Sequence, residues 1–549
     1  MRMNIYIVFG FFLNLVNFSK SASEAPIVST CSGDVRGVWM KTEDGRTIEA
    51  YLGIPYAKPP HRFEDPELFE KWEGEIDGSK EATKCLQMSI FEPGVVDGSE
   101  DCLQMNIYTP SSTEKSIYPV LFYIYGGSFL NGYANTDFYG PSKLLSKDVI
   151  LIVINYRMGF LGFASYNDKH FSGNYGLKDQ SIALKWVKQH IAYFGGDETR
   201  ITVFGQSSGA ASAHYQVLSP QNKGIIRQAI LMSGTVDCPW AFCTRFKSAD
   251  LTAKMAKLVN CHQISAVELK KCLSKVNASE FVLNYEKFQE IWPDVPSVIF
   301  PPCLESNDNE NAFITEESYN KRTACTPLMI GSTSSEGTLN IATLMQATGD
   351  KFEEKLSELD REFTKIIPVQ GGFQDDPDGK NKAARWKKIY FGDSPISSNN
   401  LRQLADLYSD IDYLNGIKCT IEKQRGKQYL YKFGYESLLS ITQVLSNDPH
   451  FKMGVSHGDD LLYLFPMKLF GFQGKESAKD REMSRKMVDL VVKFAINGDP
   501  NPVADTTRWY PNSGQRDYLW INPEGNFQMK DNFTTNKATS DVHCCKRCC

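Results

Sequence analysis

Arg200-Ile201-Thr202-Val203-Phe204-Gly205-Gln206-Ser207-Ser208-Gly209-Ala210-Ala211-Ser212-Ala213 is the stretch that decides how this chain folds. An apolar, strand-type run enters a Gly-x-Ser-x-Gly turn and leaves it as a run of small, helix-compatible residues. A strand that becomes a helix at one serine is a nucleophile elbow. The turn is too tight for bulky neighbours, so Gly205 and Gly209 let the chain take the strained shape and let helix pack on strand. Gly-x-Ser-x-Gly alone occurs by chance. The strand before it and the small-residue helix after it turn the motif into a candidate nucleophile, Ser207.

Outward from the elbow, strand-like runs at 120–125, 149–155, 201–204, 229–232 and 328–330 alternate with helical segments such as 178–193. This alternation predicts an α/β fold with a mostly parallel central sheet covered on both faces. Ile182, Leu184, Trp186 and Val187 read as the core face of one such helix. Residues from about 244 to 320 and 345 to 445 break the alternation with charged, helix-like stretches, which are expected to form the cap and walls of a gorge over the strand ends. A chain of 549 residues is long enough for two or three average domains, but a large sheet with insertions absorbs it as one. No internal repeat or linker interrupts it.

A serine needs a base, and the base needs an acid; in this architecture the chain order is Ser, then Asp or Glu, then His. His214 lies on the elbow helix, seven residues or about 10 Å beyond Ser207 at 1.5 Å per residue, and reads as a helix-face histidine. His450 follows a turn at Asp448-Pro449, and His543 lies among cysteines. His457, in the glycine-flanked loop Gly454-Val455-Ser456-His457-Gly458-Asp459-Asp460, is the candidate base. The acid should close a strand between serine and histidine. Pro327-Leu328-Met329-Ile330-Gly331 running into Ser332-Thr333-Ser334-Ser335-Glu336-Gly337 makes it Glu336. The oxyanion of a tetrahedral intermediate needs main-chain N–H donors, one of them from the residue after the nucleophile, Ser208. The others are expected from Gly126-Gly127-Ser128-Phe129, which follows the apolar run 118–125.

With these residues in place the chain resembles the type-B carboxylesterase and cholinesterase family of α/β-hydrolases. The resemblance spans nearly all of 24–536 and rests on long stretches: Tyr51-Leu52-Gly53-Ile54-Pro55-Tyr56-Ala57, Glu100-Asp101-Cys102-Leu103, Asn155 to Phe163, and Gly173-Asn174-Tyr175-Gly176 to Gly196-Asp197. It implies Ser207 as nucleophile, Glu336 as acid, His457 as base, and Gly127, Ser128 and Ser208 as oxyanion donors, with no metal or cofactor. Three departures stand out: Tyr125 where the family often has His, Ser128 where it has a third glycine, and Ser208 where it has Ala. Oxyanion donors are main-chain groups, so none of the three removes one; Ser128 does place a side chain beside the hole. The resemblance also implies disulfides Cys85–Cys102 and Cys261–Cys272, and Cys238 and Cys243 are candidates for a third. Family members often tie a cysteine near Cys419 to one near the C-terminus, but none lies between Cys419 and Cys544, so Cys419 is expected to be unpaired or buried.

Cholinesterases hold a cationic choline head with a tryptophan inside the first disulfide loop, and no Trp lies between Cys85 and Cys102. They also carry an anionic Glu before the nucleophile, where this chain has neutral Gln206. Neutral, apolar carboxylic esters are therefore the expected substrates. Arg62-Phe63, Asp179-Gln180, Gln206 and the Gly454-x-x-His457-x-x-Asp460 pattern resemble insect juvenile hormone esterases, the second reading. A third is a non-catalytic adhesion member of the fold; the intact serine, glutamate and histidine speak against it.

The N-terminal stretch has Arg2, an apolar run from Ile5 to Val16 and small residues at 21–23, so residues 1–23 read as a signal peptide, too short to span a membrane. A secreted protein without an anchor is expected, with Asn277 and Asn532 as glycosylation acceptors. The 14 cysteines agree with an oxidising compartment. The tail at 537–549, with Cys544, Cys545, Cys548 and Cys549, leaves interchain disulfides and a functionless frayed end as its two readings, metal binding behind both. A net charge of −5 gives no basic patch for nucleic acid.

Overall fold

Seven consecutive buried residues, Tyr118–Ile124, form one of the middle strands of the molecule. A strand buried on both faces reads as an unbroken apolar run, and such strands need helices above and below. The structure is a computed structural model that describes residues 24–533 apart from 90, 91, 93, 112–115, 263, 264, 290–294, 296, 322–324, 473 and 502–507. Its main sheet has eleven strands: β1 (Val38–Lys41), β2 (Thr47–Pro55), β3 (Gln104–Pro110), β4 (Tyr118–Ile124), β5 (Ile150–Ile154), β6 (Gly196–Gln206), β7 (Ile226–Met232), β8 (Leu328–Thr333), β9 (Gln428–Phe433), β10 (Tyr518–Ile521) and β11 (Phe527–Lys530). In space they run β11-β10-β9-β8-β7-β6-β4-β5-β3-β2-β1. The pairs from β5 through β4, β6, β7, β8 and β9 to β10 are parallel. The edges are antiparallel.

The expected strands are all present. β1, β2, β3, β10 and β11 lie outside the expected runs, and so does β9: its six residues are almost wholly buried and lie inside a stretch read as helical insertion. Two helices flank the elbow region, α1 (Tyr175–His190) and α2 (Ser208–Leu218). Ile182 of α1 is only half-buried, while Leu184, Trp186 and Val187 are in the core as expected. The insertion after β8 builds α3 (Thr338–Thr348), α4 (Phe352–Gln370), α5 (Gly379–Phe391) and α6 (Leu401–Tyr408). These helices enclose an apolar cluster of their own, including Leu359, Phe363, Ile367, Trp386 and Leu404, separate from the core that surrounds the sheet.

Cys85–Cys102 and Cys261–Cys272 are both bonded. Two cysteine expectations need correction. Cys238 and Cys243 form no disulfide; their sulfurs face different main-chain carbonyls, Tyr413 and Pro301. Cys419 is buried, as one reading had it, but it is disulfide-bonded and not unpaired, with a partner outside the described residues. Asn277 and Asn532 are exposed. Residues 1–23 and the tail at 537–549, with His543, lie outside the described residues. Among those described, no helix is long and apolar enough to cross a membrane.

Candidate active site

The parallel sheet brings the candidate residues together at the C-terminal ends of β6, β8 and β9, where open α/β sheets bind ligands. Ser207 follows β6 directly and precedes α2, with φ 59° and ψ −127°. A non-glycine residue there costs on the order of 1–3 kcal/mol and persists only where its surroundings over-determine it. The glycines around it show how. A Cβ on Gly205 would overlap the Gly209 carbonyl, and one on Gly209 would overlap the Ile124 carbonyl of the neighbouring strand. The Ser207 N–H is tied to the Met232 carbonyl at 2.8 Å, and its carbonyl accepts from Ala211 N–H at 3.0 Å.

Glu336 lies three residues beyond β8 and is fully buried. A carboxylate out of water needs donors, and Glu336 has three: Ser233 Oγ at 2.6 Å and Thr333 N–H at 2.7 Å on Oε1, and His457 Nδ1 at 2.6 Å on Oε2. With the Nδ1 proton directed at the carboxylate, the other ring nitrogen of His457 is a lone pair. The base loop is braced against the acid loop by Ser335 N–H donating to the Val455 carbonyl at 2.9 Å. Asp459 closes that loop by accepting from Ser456 N–H and from Ile441 N–H, each at 2.8 Å.

Burial dominates the electrostatics around His457. It pushes the Asp459 carboxyl up to about 7. Asp460, hydrogen-bonded by the Tyr431 phenol at 3.2 Å, is pushed up to about 7 by burial first and then by the charge on Glu336. Tyr413 packs its ring 4.5 Å from the imidazole, and burial holds its phenol protonated. Tyr413 belongs to a buried π-helical turn, Ser409–Leu414, a feature that concentrates at functional sites.

The loop after β4 carries Gly127 and Ser128, whose amides are the candidate oxyanion donors. Gly127 has φ 122°, and a Cβ there would overlap the Asn131 carbonyl, so only glycine fits. Ser128 and Phe129 each have φ 57°. Among the described residues, no backbone hydrogen bond occupies the Gly127 or Ser128 N–H. Ser208 is the first residue of α2, whose opening amides have no intrahelical partner. Its hydroxyl accepts from Phe129 N–H at 3.3 Å, so the residue that departs from the family's alanine ties the elbow helix to this loop. Tyr125 stacks on Tyr156 at 4.9 Å within the core.

The rejected histidines stand elsewhere: His214 is buried on α2 and accepts from Val236 N–H at 3.4 Å, and His450 is exposed. Sequence reasoning missed Ser233, Tyr413 and the contact between Gln206 Nε2 and His457 Nε2 at 3.0 Å. The sequence marks Gln206 by its lack of charge and by a family resemblance, and nothing in its spacing marks a partner 251 residues away.

The model of the carboxylesterase family matches residues 24–540. The chain is 34% identical to a juvenile hormone esterase of Tribolium castaneum over 503 residues, covering 87% of this chain and 84% of that protein. It is 32% identical to Esterase E4 of Myzus persicae, covering 93% and 92%. It is also 30% identical to a carboxylic ester hydrolase of Bombus ignitus, covering 96% of each. The crystal structure of juvenile hormone esterase from Manduca sexta, with OTFP covalently attached, superposes with a TM-score of 0.83 at 26% identity, covering 94% of this chain and 99% of that one.

Proposed function

The chain belongs to the carboxylesterase family and is a carboxylic ester hydrolase, and from that premise we propose that it cleaves neutral, apolar esters outside the cell through an acyl-serine on Ser207. The observation that carries this reading is the 2.6 Å contact of His457 Nδ1 with a fully buried Glu336, close to the strand that ends at the strained Ser207. His457 Nε2 takes the hydroxyl proton as Ser207 Oγ attacks the ester carbonyl. Glu336 holds the imidazole tautomer and stabilises the imidazolium. The N–H groups of Gly127, Ser128 and Ser208 receive the oxyanion. The imidazolium then protonates the leaving alcohol, and water activated by the same His457 releases the acid.

Neutral esters are favoured by the Trp-free loop between Cys85 and Cys102 and by uncharged Gln206. The leader-like 1–23 stretch and two sequons on exposed asparagines favour secretion with glycosylation at Asn277 and Asn532. Among neutral esters, juvenile hormone is a specific second reading, favoured by the likeness to the Tribolium and Manduca enzymes.

Ser207→Ala should abolish hydrolysis and stoichiometric organophosphate labelling while the folded protein is still produced. Labelling of the Ala variant would overturn the assignment. In the unmodified enzyme, kcat/KM for a neutral ester should far exceed that for a choline ester of equal acyl length, and equal values would refute the substrate class.

A further inference from the structure

General-base catalysis at Ser207 needs the lone pair on His457 Nε2, and in the free enzyme that lone pair already has a partner. Gln206 Nε2 lies 3.0 Å from it, and among the described residues the hydrogen bond at this nitrogen goes to Gln206, not to Ser207 Oγ. Gln206 is the last residue of its strand and Ser207 the strained residue that follows it, so the amide reaches the imidazole from the base of the elbow. Gln206 is clasped there. It is 6% exposed; a Cβ on Gly126 would crowd its Oε1, and one on Gly458 would touch its Nε2. The two glycines that leave room for the amide flank the oxyanion loop and the base loop respectively.

We propose that Gln206 is a positioning residue for the base. In the free enzyme its side-chain amide donates to His457 Nε2 and holds the imidazole neutral, with its proton on Nδ1, and it yields that nitrogen to Ser207 Oγ when an ester binds. This rests on the acyl-serine reading above. An amide suits the task because it has both a donor and an acceptor end. The N–H end satisfies the neutral ring, while the carbonyl end lies toward Gly126. A carboxylate at the same place only accepts, so it would favour the protonated ring before any ester arrives.

The resting hydrogen bond is made by the ground state and broken on the way to the transition state, so it slows the reaction by its own net worth. Gln206→Met keeps length and volume while removing the donor. The rate of Ser207 phosphorylation by a small organophosphate should rise about two- to tenfold in a variant that stays folded. Gln206→Glu should move the acid limb of kcat/KM for a small neutral ester to higher pH by on the order of one unit. Gln206→Met should move it the same way by less, since removing a donor to the neutral ring also eases protonation.

The charged and titratable groups facing His457 and its carboxylate from the surrounding elements are Glu336, Tyr413, Asp459, Asp460, Tyr431, Cys238 and Lys432. All are common to the three proteins, so the difference between profiles reports residue 206. Coincident acid limbs in the three proteins, or slower phosphorylation of a folded Gln206→Met, would overturn the proposal. Absence of ester hydrolysis in the unmodified enzyme would instead sink the reading on which it rests.

Discussion

The two halves of the site are held by different physics. Ser207 is set by a few neighbouring residues: a strained backbone, two glycines that admit nothing larger, and a helix that starts at once. His457 and Glu336 come from loops 121 residues apart and are held by hydrogen bonds from Ser233 and Thr333 to the carboxylate and from Gln206 to the ring. Ser207 is fixed by shape, His457 and Glu336 by charge and polar contacts. Substitutions should therefore fail differently: at the elbow glycines by unfolding, at the acid and the histidine by losing chemistry within an intact fold.

The sharpest contrast sets Gly209→Ala against Glu336→Gln. The first adds one methyl group that meets the Ile124 main chain, and it should lower the unfolding temperature sharply or prevent accumulation of folded protein. The second is nearly isosteric, and should keep the folded state while reducing kcat by about 10⁴, the size expected when the acid no longer enforces the tautomer. Thermal unfolding and ester turnover measured on both variants decide the matter. A stable, inactive Gly209→Ala, or an unfolded Glu336→Gln, would erase the distinction.

A smaller effect is expected at Ser128, in the loop proposed to hold the oxyanion. Ser128→Gly keeps the N–H and removes the hydroxymethyl group, so turnover of acetate esters should escape the roughly 10² to 10³ fold loss that follows removal of an oxyanion donor. Branched or bulky esters should gain. A collapse on acetate without gain on bulky esters would make the serine side chain itself part of the hole.

The smallest effect is on stability against pH. Asp459 and Asp460 are pushed up to about 7 by burial, against about 3.9 in an unfolded chain. Between those values the folded state binds more protons than the unfolded one, so each carboxyl contributes stability that is present at about pH 4 and declines as pH rises toward about 7. Asp460→Asn removes one such contribution. Urea midpoints between pH 4 and 8 should fall less with rising pH in the variant than in the parent, and parallel curves would take Asp460 out of the account.

The same division explains what was legible in the amino-acid order. The elbow is a local event, written in consecutive residues, and the strands of the parallel core are continuous apolar runs; both are visible without coordinates. Glu336 and His457 were reachable because chain order and glycine flanks narrow the candidates. Gln428–Phe433 was not, because six buried residues amid charged helices carry no periodicity long enough to separate strand from helix. Ser233 and Tyr413 escaped for another reason: each acts only through a partner brought near by the sheet. Cys419 defeated the reading because a disulfide partner is fixed in space and its sequence position is only a hint.

The insertion of α3 to α6 encloses its own apolar cluster, and it meets the chemistry at a narrow seam, where Gly337 N–H donates to Ser409 Oγ at 2.9 Å beside Glu336 and Tyr413 lies on His457. A lobe with a private core can repack by itself: a substitution at Phe363 or Trp386 acts first on that cluster, and its strain reaches Glu336 and His457 through the contacts of Gly337 and Tyr413.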